Sequence, residues 1–143
     1  MARLGGLPAR RLTNTDREKL NLNMSQIKVA PIKPNITLDE LEKIDVRVGT
    51  ISLVEDVAGS DKLVRLKVDF GDHNRSILAG IKQERQNPKE IEGRQALFVV
   101  NLVSKKMMGE TSEGMLFDIG YGDGIVPVLA VPEQDVPNGS RVG

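Results

Sequence analysis

The sequence predicts an all-β fold: a five-stranded barrel with one short helix between the third and fourth strands and a C-terminal β extension. Three observations predict it. From Ile44 onward, apolar residues recur at every second position in several separate runs, the period of strands with one buried face. Clusters of Gly, Asp, Asn and Pro punctuate those runs as turns. Between the runs, a helix start signal stands at Asn87-Pro88-Lys89-Glu90.

Organised sequence begins near Ile36. Thr37-Leu38-Asp39-Glu40 reads as a helix start, with Thr37 as N-cap, Glu40 closing the box, and Leu38 and Leu41 as buried contacts. Ile44, Val46 and Val48 then share one face of a first strand, and Asp45 and Arg47 the other. After Gly49 the phase flips to Ile51 and Leu53, which predicts a bulge at the glycine. Beyond the turn Ala58–Asp61, a second strand places Val64, Leu66, Val68 and Phe70 inward. Gly71–Asn74 turns the chain into a third strand, Ser76–Ile81. The helix follows, with Asn87 as N-cap, Pro88 in its first position and Glu90 closing a box, and Gly93 ends it. Ala96–Leu102 is nearly continuously apolar, as a buried fourth strand is. Met115–Ile119 is the fifth, and Val126–Val131 and Val136–Val142 form the extension. This element order is that of the OB-fold, a partly open Greek-key barrel. Fold alone does not assign a function.

A length of 143 residues fits one domain with one core. The absence of cysteine rules out disulfides and thiolate metal sites and fits a reducing, cytoplasmic setting. A single histidine, His73, argues against His-rich metal centres and most His-based catalysis, so neither metal nor cofactor is expected. No apolar run approaches the roughly 20 residues of a membrane span. The net charge of zero is unevenly spread: residues 1–35 carry seven Lys/Arg against two acids, a net of +5, and residues 36–143 a net of −5. That divides the chain into a basic N-terminal segment, 1–35, expected to be mobile, and a domain, 36–143. Met24 could be the natural start.

One stretch stands out chemically. Asn101–Met115 (NLVSKKMMGETSEGM) leaves an apolar strand on an Asn, then offers Lys105 and Lys106, a Gly turn and Ser112. Amide, ammonium and hydroxyl donors on a loop between strands are groups that grip a phosphate–sugar backbone. Two lysines can each neutralise a phosphate. Asn101 and Ser112 can reach the 2′-hydroxyls that distinguish RNA from DNA. Scarce aromatics argue against a stacking platform for extended single strands. Each residue also has a plainer reading: a solvated lysine pair, an Asn satisfying backbone groups in a turn, a Ser capping one, methionines filling the core.

Ile44–Gly49 (IDVRVG), Ser60–Leu63 (SDKL), Val68–Gly71 (VDFG), Ala79–Ile81 (AGI), Asn101-Leu102, Lys106-Met107 and Ser112-x-Gly114-Met115, in this order and spacing, resemble the tRNA-binding OB domain. That domain occurs at the C-terminus of methionyl-tRNA synthetases and as free-standing tRNA-binding proteins. The resemblance covers residues 36–143. It implies structure-selective binding at the outer corner of tRNA without anticodon reading, by a module that is either independent or acts in trans with an aminoacyl-tRNA synthetase. It carries over Asn101, Lys106, Ser112 and Met115 as binding positions; Arg47 and Lys105 are added on chemistry. It also implies a homodimer joined partly through Val126–Val142. The chain departs from the family pattern at Val57-Ala58, where His-Pro is frequent, at Ser104 for Pro, and at Met108 for Arg. The alternative is a role like that of the related CsaA-type chaperones, which hold unfolded precursors. An enzyme is not expected: there is no G-x-S-x-G elbow, phosphate loop or synthetase catalytic signature.

Overall fold

The computed structural model describes residues 13–15 and 29–143. Met24 and most of the basic segment therefore lie outside the described residues. Helix α1 spans Leu38–Glu42, and its capping box forms as the sequence predicts: the Thr37 hydroxyl accepts from Glu40 N, and Glu40 reaches back to the Thr37 backbone. The buried contacts predicted for Leu38 and Leu41 do not form. They are 69% and 52% exposed, because no described element covers that face.

The main sheet has the order β3-β2-β1-β4-β7, antiparallel throughout, built from β1 (Val46–Asp56), β2 (Val64–Asp69), β3 (Asn74–Ala79), β4 (Gln95–Val99) and β7 (Met115–Leu116). Its two edges curl toward each other. Glu113 N donates to Ser76 O at 2.9 Å, Ser76 N to a Glu113 carboxylate oxygen at 2.9 Å, and Leu78 N to the Ser112 hydroxyl at 2.9 Å. These bonds join β3 to the segment entering β7 and complete an OB-like half-barrel. Inside it Ile51, Leu66, Ile77, Ile91 and Phe98 are wholly buried. Each such side chain contributes about 1.5–3 kcal/mol. Val64, Leu66, Val68 and Phe70 all face inward, as their alternation predicts.

The bulge sits elsewhere than predicted. The β1–β2 register slips at Ser52, between Ile51 and Leu53, and the Ser52 hydroxyl donates to Lys67 O there. Val54, not Leu53, is consequently the next buried residue after Ile51. Gly49 lies in unbroken register with Ala96, and its small size serves close packing instead. A Cβ at that position would stand 2.5 Å from Val68 Cγ1 and 2.9 Å from Phe70 Cε1.

Between β3 and β4 the helix is a single 3-10 turn, Pro88–Ile91, capped by the Asn87 side chain on Lys89 N. Glu90 does not close a box; it pairs with Arg85 at 2.7 Å. The predicted fifth strand is split. Its first half, β7, pairs with β4, and its second half, β8 (Asp118–Ile119), pairs with β9 (Val128–Leu129). Phe117 makes the change of partner, donating to Leu97 O and accepting from Ala130 N. Val136–Val142 is not a strand. It lies along the start of β1, on the side where β2 pairs only from Thr50 onward, and there Val48 N donates to Ser140 O, Gly139 N to Val48 O and Val142 N to Val46 O.

Candidate nucleic-acid interface

β4 ends at Val99, and the chain leaves the sheet carrying Asn101. Its side-chain oxygen accepts from Asp45 N at 2.8 Å and its amide donates to Lys43 O at 2.5 Å. The Asn thereby ties the start of β1 and the end of α1 to the exit of β4, while the residue itself stays exposed.

The predicted loop contains a hairpin that the hydrophobic pattern does not show. β5 (Lys105–Met107) pairs with β6 (Glu110–Ser112), joined by Met108-Gly109, both with positive φ (52° and 78°). A two-residue turn with both centres left-handed matches strand twist, and it strains any residue other than Gly, Asn or Asp. Met108 accepts that conformation while its methyl lies over Gly59, where a Cβ would stand 3.5 Å from Met108 Cε. Because side chains alternate along a strand, Lys105 and Lys106 project to opposite faces of the hairpin rather than as one pair. Both are exposed, and among the described residues neither is ion-paired. Lys106 stands opposite Thr111, and Lys105 opposite Ser112.

Ser112 is 4% exposed. Its hydroxyl accepts from Leu78 N and donates to Gly114 O at 3.0 Å, so it substitutes for a missing rung where the barrel closes. Met115, 43% exposed, opens β7 opposite Val99. Arg47 belongs to a different arrangement. Its Nε and Nη2 grip both Asp45 oxygens at 2.7 and 3.1 Å, and its Nη1 donates to Gly139 O. Arg141 also approaches Asp45 at 3.4 Å. The Arg47 hydrogen bond, ahead of the smaller contribution of Arg141, holds the Asp45 carboxyl below its ordinary range. Arg47 thus fastens the C-terminal segment to β1, beside a cleft of about 400 Å³ that also touches Phe70, His73, Arg75 and Val100.

The structure therefore gathers Asn101, Lys105, Lys106 and Met115 as exposed groups around one excursion from the sheet, with Ser112 buried at its base and Arg47 engaged within the protein. A model of the family described as "Putative tRNA binding domain" matches residues 46–141, and so takes in the whole excursion. The chain belongs to the tRNA-binding domain family. Among curated relatives, methionine–tRNA ligases of Bacteroides fragilis and Clostridium acetobutylicum are each 38% identical, over 89% and 80% of this chain. The chain spans 18% of the length of either ligase. Among solved structures, a MetRS-related protein from Pyrococcus horikoshii superposes with a TM-score of 0.71 at 37% identity, over 78% of this chain and all of that one. The chaperone CsaA of Bacillus anthracis does so with 0.65 at 28% identity, over 77% of this chain and all of its own.

Two residues of this tRNA-binding domain that matter to the site are not legible in the sequence. Arg65, placed on the polar face of β2 by alternation alone, pairs with Glu110 of β6 and with Glu55 of β1 at 3.4 Å. That pair docks the hairpin on the barrel and neutralises a carboxylate close to the lysines. Arg75 of β3 reaches the two ends of the excursion. No local signal marks either partner, because the contacts join residues far apart in the chain. Among the described residues there is no cluster of His, Cys, Asp or Glu able to hold a metal, and no helix long and apolar enough to cross a membrane.

Proposed function

We propose that this chain is a non-catalytic module that binds tRNA by shape, with the β5–β6 hairpin and the flanking Asn101 and Met115 as its contact surface. The observation that carries this is the hairpin itself: two exposed lysines, neither ion-paired among the described residues, on a hairpin docked at the barrel's rim inside the segment that matches the family. Lys105 and Lys106 neutralise phosphates from two faces of the hairpin. Met115 offers an exposed apolar contact, Asn101 offers its remaining hydrogen-bonding capacity to ribose, and Ser112 and Arg47 keep this surface in shape. The target is the outer corner of folded tRNA, and the module acts in trans with an aminoacyl-tRNA synthetase in the cytoplasm.

Titrating tRNA into the full chain across a salt series tests the reading. Binding should weaken with salt, and Lys106→Ala should lower the slope of log K against log salt by about 0.7–0.9. Absence of binding at low salt sinks it. Aminoacylation by the chain alone would overturn its non-catalytic part.

The chain is also proposed to be a homodimer. Ile119, Tyr121, Val126, Val128 and Val131, all beyond the five-stranded sheet, are 45–77% exposed, an apolar surface of the kind that subunit contacts cover. Sedimentation velocity giving a monomer at micromolar concentration would refute that. The same apolar surface, with the likeness to CsaA, supports a second reading, capture of unfolded chains. Suppression of client aggregation without tRNA affinity would favour it over the first.

A further inference from the structure

We propose that Arg75 is a positioning residue that holds the tRNA-contacting excursion in shape from behind without touching RNA; the functional half of this rests on the reading that the excursion binds tRNA. Half-buried in β3, Arg75 sends one nitrogen, Nη1, to Val100 O at 2.6 Å and to Glu113 O at 2.9 Å. Those carbonyls flank residues 101–112 on either side, so a single guanidinium ties the two ends together. The β4–β7 ladder stops just short of this point, its last pair being Val99↔Met115, so Arg75 extends the closure to Val100 and Glu113.

The guanidinium is itself held. Its Nε donates to His73 Nε2 at 3.0 Å, and His73 Nδ1 lies 2.6 Å from an Asp72 oxygen. The His73 ring stacks on Phe70 with centroids 5.5 Å apart, and the Arg75 guanidinium stands 6.0 Å over the same Phe70 ring. The guanidinium divides its work: Nε is held by His73, while Nη1 alone reaches both carbonyls. A lysine ammonium has donors for the carbonyls but no second nitrogen for His73 to hold. Charge-assisted bonds of this kind are among the stronger ones in proteins.

The test compares Arg75→Ala, Arg75→Lys and Lys106→Ala in the full chain, by tRNA titration over a salt series and by amide hydrogen exchange without RNA. Arg75→Ala should speed exchange within residues 101–112 and leave β1 and β2 unchanged. It should weaken tRNA binding about tenfold, as for an excursion in its binding shape about a tenth of the time, and leave the salt slope unaltered. Lys106→Ala should do the reverse, lowering the slope while exchange stays as in the wild type. Arg75→Lys, which keeps a donor for the carbonyls but loses the separate bond to His73, should fall between wild type and Arg75→Ala in exchange. A slope change in Arg75→Ala as large as that of Lys106→Ala would make Arg75 a phosphate contact and overturn the proposal, as would unchanged exchange in 101–112. If Arg75→Ala opens the whole barrel, Arg75→Lys decides: acceleration confined to 101–112 supports the proposal, and none overturns it. If the wild type binds no tRNA, the functional reading fails separately, and the exchange data still judge the tie.

Discussion

Replacing Ser112 with alanine separates two roles that a serine at this position could have. As a ribose contact, its loss would weaken RNA binding and leave the fold untouched. The geometry places it elsewhere: the hydroxyl is buried and serves Leu78 N and Gly114 O, at the seam where β3 meets the strand that closes the barrel. Ser112→Ala leaves the Leu78 amide, in a residue 5% exposed, with no acceptor. An orphaned buried donor costs about 1–3 kcal/mol. For a domain near a hundred residues, about 2 kcal/mol corresponds to a fall in Tm of roughly 10 °C. Thermal and urea unfolding measure it, and an unchanged m-value would confirm that stability alone has moved. At a temperature where the variant is still folded, tRNA affinity should change little. A Tm within about 2 °C of the wild type together with lost tRNA affinity would refute the structural role, and with it the account of how the barrel closes.

Two further outcomes follow from the same structure. Gly49→Ala should destabilise the domain by about 1–3 kcal/mol, because the new methyl meets Val68 and Phe70, both buried and unable to yield; a urea midpoint equal to the wild type would show that β1 and β2 are less tightly apposed. Asp45, held below its ordinary value by Arg47 and then Arg141, contributes stability that is fully present above the unfolded carboxylate value of about 3.9 and is lost as pH falls through the lower folded value. Resonances of residues 139–142 should therefore stay constant down to about pH 4 and shift only below it; a transition centred above that would contradict the pairing.

What could be read in advance divides along physical lines. The alternation Val64, Leu66, Val68, Phe70 is dictated by burial on one face, and its inward set is the one found. Thr37 and Glu40 are equally readable, since a capping box is local. The strand break at Phe117 is not, because a continuous apolar run carries no mark of where it changes partners. The β5–β6 hairpin hides for a related reason: its turn uses Met108 rather than the Asn that would announce it, and its strands are too short and polar for periodicity to show. Of the residues predicted for the site, Asn101, Lys105, Lys106 and Met115 are exposed. Ser112 and Arg47 carry the right chemistry for RNA, but their partners, Leu78, Gly114, Asp45 and Gly139, meet them only in the fold.

The C-terminal segment along β1 has a consequence for solubility. Val46–Gly49 is an apolar strand end whose second edge would otherwise offer open amides and carbonyls to any extended chain, the usual starting point for strand addition and aggregation. Residues 139–142 occupy that edge with three backbone hydrogen bonds, and the Arg47–Asp45–Arg141 cluster places charge beside it. A foreign strand must displace this tail before it can pair, so the last residues act as a guard against self-association by edge pairing, independent of any role in RNA binding.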